Sequence, residues 1–216
     1  MGGKERQYRH SPTRHLATDQ RLSFDHGTAL RRLRRLLPDR PLTAVEAFAV
    51  AERQASLLLA IWGVEHLEIP IEMIGELSAV TVQRMDRIPV AGASFWTGAN
   101  WVIVVDTACC HGHRRLTLAH EFKHVIDHRP EETYHDPDLV ESVADFFARC
   151  ALAPRSWVKT EISRGVSDVA ELAARFGLPI EVMARRLDEL GLADQVRAAR
   201  PLVRWLDRSR CARRGC

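Results

Sequence analysis

The chain has 216 residues, of which 27% are charged and 46% are hydrophobic. This is the composition of an ordinary globular protein, and it excludes a disordered, collagen-like or membrane-embedded chain. At roughly 100 to 200 residues per domain, the length predicts one domain with appendages. No apolar stretch approaches the ~20 residues that cross a bilayer, and no apolar signal segment opens the chain. We therefore expect a cytoplasmic protein that does not enter a membrane.

Charge is distributed unevenly along the chain. Residues 1–40 and residues 197–216 each carry a net charge of +6, whereas residues 41–196 carry −9. Basic clusters attract phosphate without reading sequence, so weak nucleic-acid contact through the two termini is one interpretation. Solvated chain ends are the simpler interpretation, and the one we favour.

The five cysteines are an odd number and show no CxxC spacing. Without a secretory context, this usage indicates a reducing compartment. Cys109, Cys110, His111 and His113 form a dense group of metal-ligand residue types. Because adjacent cysteines rarely converge on one tetrahedral ion, we assign no second metal to this group.

The first 42 residues lack periodicity and predict a loosely ordered basic arm with one short helix near residues 28–37. The folded domain is expected to begin near Thr43. Thr43 and Glu46 have the spacing of a capping box, in which each side chain satisfies a backbone N–H group at a helix start. The helix that follows meets no breaker until Gly63, which predicts its end.

Strand-forming residues follow at 80–82, 94–96 and 101–106, with turn-forming residues at 97–100 between the last two segments. We expect a small antiparallel sheet from them. Helical patterns then resume over 116–128, 137–152, 166–176 and 179–190. A helix, a short sheet and further helices predict an α+β fold.

An HExxH motif carries the chemistry of the chain. His120 and His124 are four residues apart, so on a helix both imidazoles can reach one ion, while Glu121 points at a water molecule beside it. His128 lies about 12 Å from His120 along the helix axis, too far to bind the same ion. The long metzincin spacing is also excluded, because Asp127 and Pro130 stand where that pattern requires Gly and His.

A hydrolytic zinc site needs a third protein ligand and an open position for water. The helix over 137–152 offers Glu141 with Asp145 four residues later on the same face. Glu141 can complete the metal site, and Asp145 can accept the second N–H group of a metal-bound imidazole. We prefer Glu141 to the acids expected in loops, since a ligand on a helix is held more rigidly. Those acids are Glu131, Glu132, Asp136 and Asp138.

Two ordered segments, 115–124 and 141–148 with Ala153 and Pro154 behind them, resemble the ImmA/IrrE metallopeptidase family. The resemblance continues upstream through residues 96–103 and covers about residues 43–192. Lys123 stands where many members have Gly, and Ala153 replaces a common Met. Lys123 is expected to point away from the metal.

The resemblance implies a zincin-like minimal metallopeptidase domain with an active-site helix. It implies Zn²⁺ as cofactor, held by His120, His124 and Glu141, with Glu121 as the catalytic residue. Members often act on a helix-turn-helix repressor encoded nearby, which implies a protein substrate of that kind.

The expected reaction is hydrolysis of a peptide bond by a zinc-activated water, with Glu121 as general base and then as proton donor to the leaving amine. A second donor to the developing oxyanion is expected. Three side chains remain open for that role: Tyr134, His135 and His128.

Residues 165–192 are similar to a helix-turn-helix, and residues 193–216 form a basic tail. The similarity supports an alternative, a DNA-binding or partner-binding regulator with a non-catalytic zinc site. Against DNA binding, Glu181 is an acid near the start of the second helix, where base and phosphate contacts favour Arg or Lys. Arg185 and Arg186 partly offset that. Packing of both helices against the peptidase core is the interpretation we prefer.

Overall fold

The computed structural model describes residues 26–128, 133–134 and 136–196. In these residues seven α-helices and three β-strands follow one another, with 3₁₀ helices at Ile71–Glu76 and Ala193–Gln195. The elements are α1 (His26–Arg34), α2 (Ala44–Trp62), β1 (Val80–Met85), β2 (Gly92–Trp96), β3 (Trp101–Asp106), α3 (His111–Asp127), α4 (Pro137–Leu152), α5 (Arg155–Ser163), α6 (Val169–Phe176) and α7 (Ile180–Leu190). The predicted α+β class is confirmed. No helix in the described ranges is both long and apolar enough to cross a membrane.

Helix α2 begins and ends where its sequence predicts. The Thr43 hydroxyl accepts a hydrogen bond from the Glu46 backbone N–H group, and the Glu46 carboxylate accepts one from the Thr43 backbone N–H group. Gly63 closes the helix in the left-handed conformation at φ 61°, which glycine adopts without steric cost. The inner face of α2 packs mainly against α4 and joins the central core.

The three-stranded sheet has the order β1-β3-β2 and is mixed rather than wholly antiparallel. The hairpin of β2 and β3 is antiparallel as predicted, with Ser94 opposite Ile103. Strand β1 instead pairs parallel to β3, with Val82 opposite Ile103. All six residues of β3 are buried, so this apolar strand takes the centre and separates β1 from β2.

The short helix expected near residues 28–37 is α1, and it packs into the core. Leu30 and Leu33 of α1 and Leu37 and Leu42 after it are all buried in the same hydrophobic cluster as α2 and α3. Packed structure therefore extends to the N-terminal side of the expected domain start at Thr43. The domain boundaries themselves stay a prediction, and most of the basic arm and nearly all of the tail lie outside the described residues.

Two helical features differ from the sequence prediction. Helix α3 begins at His111, five residues earlier than expected. Helix α5 was not predicted: it follows Pro154 and buries Val158 and Glu161. Glu161 is charged yet 1% exposed, and it is satisfied by ion pairs with Arg164 and Arg175. One of the two buried positions of α5 is thus a carboxylate stabilised by charge rather than by hydrophobic contact, so the short segment has few apolar residues to mark its buried face.

Candidate metal centre

Two helices and the edge of the sheet position the predicted site residues. Strand β3 leads into α3 through a short turn, and α3 packs against β2, β3 and α4. Phe122, Val125 and Ile126 anchor α3 in the core, while Val143 and Phe147 anchor α4. Because these apolar residues hold both helices against the core, the polar faces of α3 and α4 lie next to each other.

The structure brings His120, His124 and Glu141 together. Their nearest ligand atoms all lie within 4.8 Å of one another. The two Nε2 atoms are 3.0 Å apart, and Glu141 oxygens lie 3.3 Å from His120 Nε2 and 3.5 Å from His124 Nε2. A tetrahedral ion with bonds of about 2.0 to 2.2 Å separates its ligand atoms by about 3.3 to 3.6 Å. The two distances to Glu141 match this spacing and the two Nε2 atoms lie slightly closer, so the two imidazoles and one carboxylate form a set that can hold a metal ion.

Asp145 orients His120 through the ring nitrogen that faces away from Glu141 and His124. Its carboxylate oxygen lies 2.9 Å from His120 Nδ1, which leaves Nε2 directed at Glu141 and His124. Burial lowers the pKa of His120, but the hydrogen bond and charge of Asp145, together with the charges of Glu121 and Glu141, outweigh it, so the net pKa is raised. Burial, with the nearby charge of His120, lowers the pKa of His124. A carboxylate behind a ligating imidazole fixes its tautomer and orientation.

Glu121 lies on α3 between the two histidines, and its side chain is close to Gly92 at the start of β2. Its residue is 9% exposed, and among the described residues its carboxylate makes no hydrogen bond or ion pair. Gly92 makes this close approach possible: a Cβ atom there would lie 3.2 Å from Glu121 Cγ and 2.4 Å from Thr117 Cγ2. A carboxylate without a protein partner is available to a water molecule or a substrate.

The comparison with family models matches residues 78–188, about half of the chain, to the IrrE N-terminal-like domain of the M78 peptidases. The chain belongs to this family. The match spans β1 to α7 and includes all four residues of the HExxH and Glu141 constellation. Membership in a metallopeptidase family accounts for the HExxH motif.

One solved structure similar to this IrrE-like chain is described as a Mycobacterium tuberculosis transcriptional regulator. The two share 19% identity at a TM-score of 0.51, over 74% of this chain and 62% of that one. This chain thus spans less than two thirds of the length of that neighbour, and the likeness concerns the fold. No curated protein matches the chain.

The three side chains proposed to stabilise the oxyanion are placed differently. Tyr134 is buried, and its hydroxyl lies 2.5 Å from an Asp127 carboxylate oxygen and 3.3 Å from Lys123 Nζ. It would have to leave these partners to act on a substrate. His128 is exposed and packs edge-on against the Trp101 ring at 4.8 Å. His135 lies outside the described residues. Their catalytic roles stay predictions.

A buried ionic cluster on α3 was missed by sequence reasoning. Lys123 is 1% exposed, and its ammonium group lies 2.5 Å from both carboxylate oxygens of Asp127. Burial lowers the pKa of Lys123, and Asp127 opposes that shift. The four-residue spacing of Lys123 and Asp127 was the available signal. As expected, Lys123 does not join the metal ligands.

The group of cysteines and histidines at the start of α3 does not gather as a metal site. Among the described residues, the cluster of His120, His124 and Glu141 is the one able to hold an ion. Cys109 is buried, and His111 pairs with Glu68 at 2.9 Å.

The helix-turn-helix-like pair packs on the start of α3. Gly112 lies so close to the turn that a Cβ atom there would be 2.8 Å from Pro179 Cδ. The Arg115 guanidinium, 2% exposed, donates to the carbonyl oxygens of Phe176, Gly177 and Ile69 at 2.6 to 2.9 Å. The turn of this pair therefore packs directly against the helix that carries the HExxH motif.

Proposed function

We propose that this chain is a cytoplasmic zinc-dependent endopeptidase that cleaves a specific regulatory protein, such as a helix-turn-helix repressor encoded nearby. The observation that carries the proposal is the triangle of His120, His124 and Glu141, with the Glu121 carboxylate one residue from the first ligand and without a partner among the described residues. An intact Glu121 is required for catalysis but not for metal binding alone.

Each residue of the site has a separate role in the proposed reaction. His120, His124 and Glu141 would hold the ion, which supplies Lewis acidity and lowers the pKa of a water molecule when bound. Asp145 keeps His120 Nδ1 engaged, so that Nε2 faces the site. Glu121 takes a proton from the attacking water and later delivers it to the leaving amine nitrogen.

Strand β2 supports a polypeptide as the substrate. It is an edge strand, and it begins beside Glu121. The Thr97 N–H group donates to the Asn100 carbonyl oxygen, and the Asp106 N–H group donates to the Ala91 carbonyl oxygen. Because hydrogen-bonded and non-hydrogen-bonded pairs alternate in an antiparallel ladder, the N–H and C=O groups of Ser94 point away from β3. An extended peptide could add to this edge through backbone hydrogen bonds.

Zinc stoichiometry is the first test. Elemental analysis of wild type should give about one zinc per chain, and Glu141→Ala should lose most of it, because two histidines alone leave the shell incomplete. Asp138→Asn is the matched control: this exposed acid lies one turn earlier on α4. A wild-type protein without zinc after reconstitution would defeat the proposal.

Hydrolysis is the second test. The zinc-loaded protein is incubated with the repressor encoded by the neighbouring gene, and products are identified by mass spectrometry. Glu121→Gln should keep its zinc but lose at least about a hundredfold in rate, since it removes the general base. Ser94→Pro should slow cleavage, because it removes an N–H group on the open edge of β2, and it should leave the hairpin folded. Ser94→Ala keeps that N–H group and should leave the rate of cleavage unchanged. Equal rates for Glu121→Gln and wild type would contradict this mechanism.

A DNA-binding regulator is the alternative, in line with the description of the mycobacterial structural neighbour. The contacts of α7 count against it. Its first turn faces α3, with Glu181 3.2 Å from His113, and Arg186 is 1% exposed and bonded to the Ala153 carbonyl oxygen. Of the two arginines on α7, only Arg185 reaches the surface. Salt-dependent, sequence-selective binding to duplex DNA by the zinc-free protein would favour the alternative.

A further inference from the structure

A thiol, an imidazole and a carboxylate stand in a row where α3 meets α7. Cys110 Sγ lies 2.9 Å from His113 Nδ1, and His113 Nε2 lies 3.2 Å from Glu181 Oε1. The side chains of His113 and Glu181 are 33% and 52% exposed, and Cys110 is half-buried. The group is separate from the metal centre, since His113 precedes His120 by about two helical turns.

The arrangement is that of an activated nucleophile. Such sites place the nucleophile within hydrogen-bond reach of a base, and a third group orients that base. Here His113 can accept the Cys110 proton at Nδ1, while Glu181 stabilises the resulting imidazolium at Nε2. Cys110 also precedes the first turn of α3, yet its side chain makes no capping hydrogen bond there. A helix N-terminus and an adjacent imidazole both favour the thiolate, and partial exposure lets a reagent reach it.

Two other cysteines in the described residues lack this setting. Cys109 is 5% exposed. Burial raises the pKa of Cys150 to about 12, because it removes the thiolate from water. These two thiols are therefore internal references for the reactivity of Cys110.

We propose that Cys110, His113 and Glu181 form a second, metal-independent reactive site, at which Cys110 is oxidised by a small peroxide. The thiolate attacks one peroxide oxygen, so that an S–O bond forms while the O–O bond breaks. The departing oxygen takes the proton held by His113 and leaves as water, or as an alcohol from an organic peroxide. Sulfur is oxidised to the sulfenic acid, and the peroxide is reduced.

The test uses the full-length protein, reduced and freed of reductant, with hydrogen peroxide as the oxidant. A reagent specific for sulfenic acids traps the product, and peptide mass mapping reads each cysteine separately. Cys110 should react at least about tenfold faster than Cys109 and Cys150, and faster than the same residue in denaturant-unfolded chain. Modification should be lost in Cys110→Ser.

Matched variants test the row of groups. His113→Gln should slow oxidation of Cys110 about tenfold, and Glu181→Gln should slow it severalfold. His111→Gln is the control: this imidazole starts the same helix but pairs with Glu68. It should leave the rate at Cys110 unchanged. Circular dichroism verifies folding, and Glu181→Gln changes an exposed residue, so it keeps the test decisive if His113→Gln does not fold.

Two outcomes would overturn the proposal. One is a Cys110 rate in the folded protein no higher than in the unfolded chain. The other is an equal effect of His111→Gln and His113→Gln, which would show that local charge alone sets the rate. Neither outcome depends on zinc or on peptide hydrolysis, so the result is independent of the proposed peptidase function.

Discussion

Helix α3 carries two polar clusters that are built in opposite ways. The metal-centre residues remain open: Glu141 is 65% exposed at its side chain, and the Glu121 carboxylate makes no hydrogen bond among the described residues. The Lys123, Asp127 and Tyr134 cluster is closed, with the Lys123 side chain 1% exposed and its ammonium group ion-paired. A site that must receive a ligand keeps coordination capacity unused, whereas a structural cluster satisfies its charges internally.

The comparison predicts different consequences for substitutions only a few residues apart. Changes in the closed cluster should reduce the free energy of unfolding and leave metal stoichiometry in the folded protein unchanged. Changes in the metal centre should do the reverse, because its groups contribute little to folding until an ion binds.

The largest effect is expected for Asp127→Ala. It leaves the Lys123 ammonium group buried without its counter-ion, which costs about 3 to 5 kcal/mol of unfolding free energy. Urea denaturation of the metal-free protein measures it. Zinc stoichiometry of the fraction that folds should stay near wild type.

A double variant separates charge from packing. In Lys123→Met with Asp127→Leu, both charges are replaced by apolar groups, so most of the lost stability should return. If the double variant is as unstable as Asp127→Ala, the cluster acts through side-chain shape rather than through an unpaired charge.

Asp145→Asn should act on the metal rather than on the fold. It weakens the contact at His120 Nδ1 and should reduce zinc affinity about 10- to 100-fold, measured by competition with a chelator. The free energy of unfolding without metal should change far less than in Asp127→Ala. Asp138→Asn, on the same helix, should leave the affinity unchanged.

The open cluster was predictable from the sequence because its geometry is local. His120, Glu121 and His124 share one helix, and Glu141 and Asp145 share the next, so spacing alone places each set on one face. The structure brings the two faces together as the sequence analysis expected. The roles of these residues in catalysis stay predictions.

The closed cluster and the sheet order depend on contacts between distant segments. Tyr134 reaches Asp127 because its neighbour Thr133 is held beside the end of α3. The Thr133 carbonyl oxygen accepts a hydrogen bond from the Leu42 backbone N–H group, and the Thr133 hydroxyl donates to the Asp127 carbonyl oxygen. Likewise, the parallel pairing of β1 with β3 follows from which strand takes the centre. Periodicity in a single segment carries no signal for either feature.

Gly92→Ala tests the approach of β2 to the metal centre. The added methyl group would meet Thr117 Cγ2 at 2.4 Å, so β2 or α3 must shift, at about 1 to 2 kcal/mol of stability. Since the added methyl group would also lie 3.2 Å from Glu121 Cγ, the rate of hydrolysis should fall by more than the loss of stability alone explains. Gly98→Ala provides a comparison, because a Cβ atom there meets nothing within 4 Å, although its φ of 94° adds local strain. Unchanged hydrolysis in Gly92→Ala would show that Glu121 tolerates displacement.

The smallest effect is expected for Arg34→Met. The Arg34 guanidinium donates to the carbonyl oxygens of Val125 and Ile126 at 2.7 and 3.3 Å, in the last turn of α3. Carbonyl oxygens in a last helical turn lack partners within the helix, and a cation there also complements the helix dipole, so the loss should be about 1 kcal/mol. Arg32→Met, at an exposed position of α1, should cost less. Because Arg34 contacts the end of α3 that carries Asp127 of the closed cluster, zinc affinity should not change in Arg34→Met. A loss of affinity as large as that of Asp145→Asn would mean that the two clusters are coupled through α3 rather than independent.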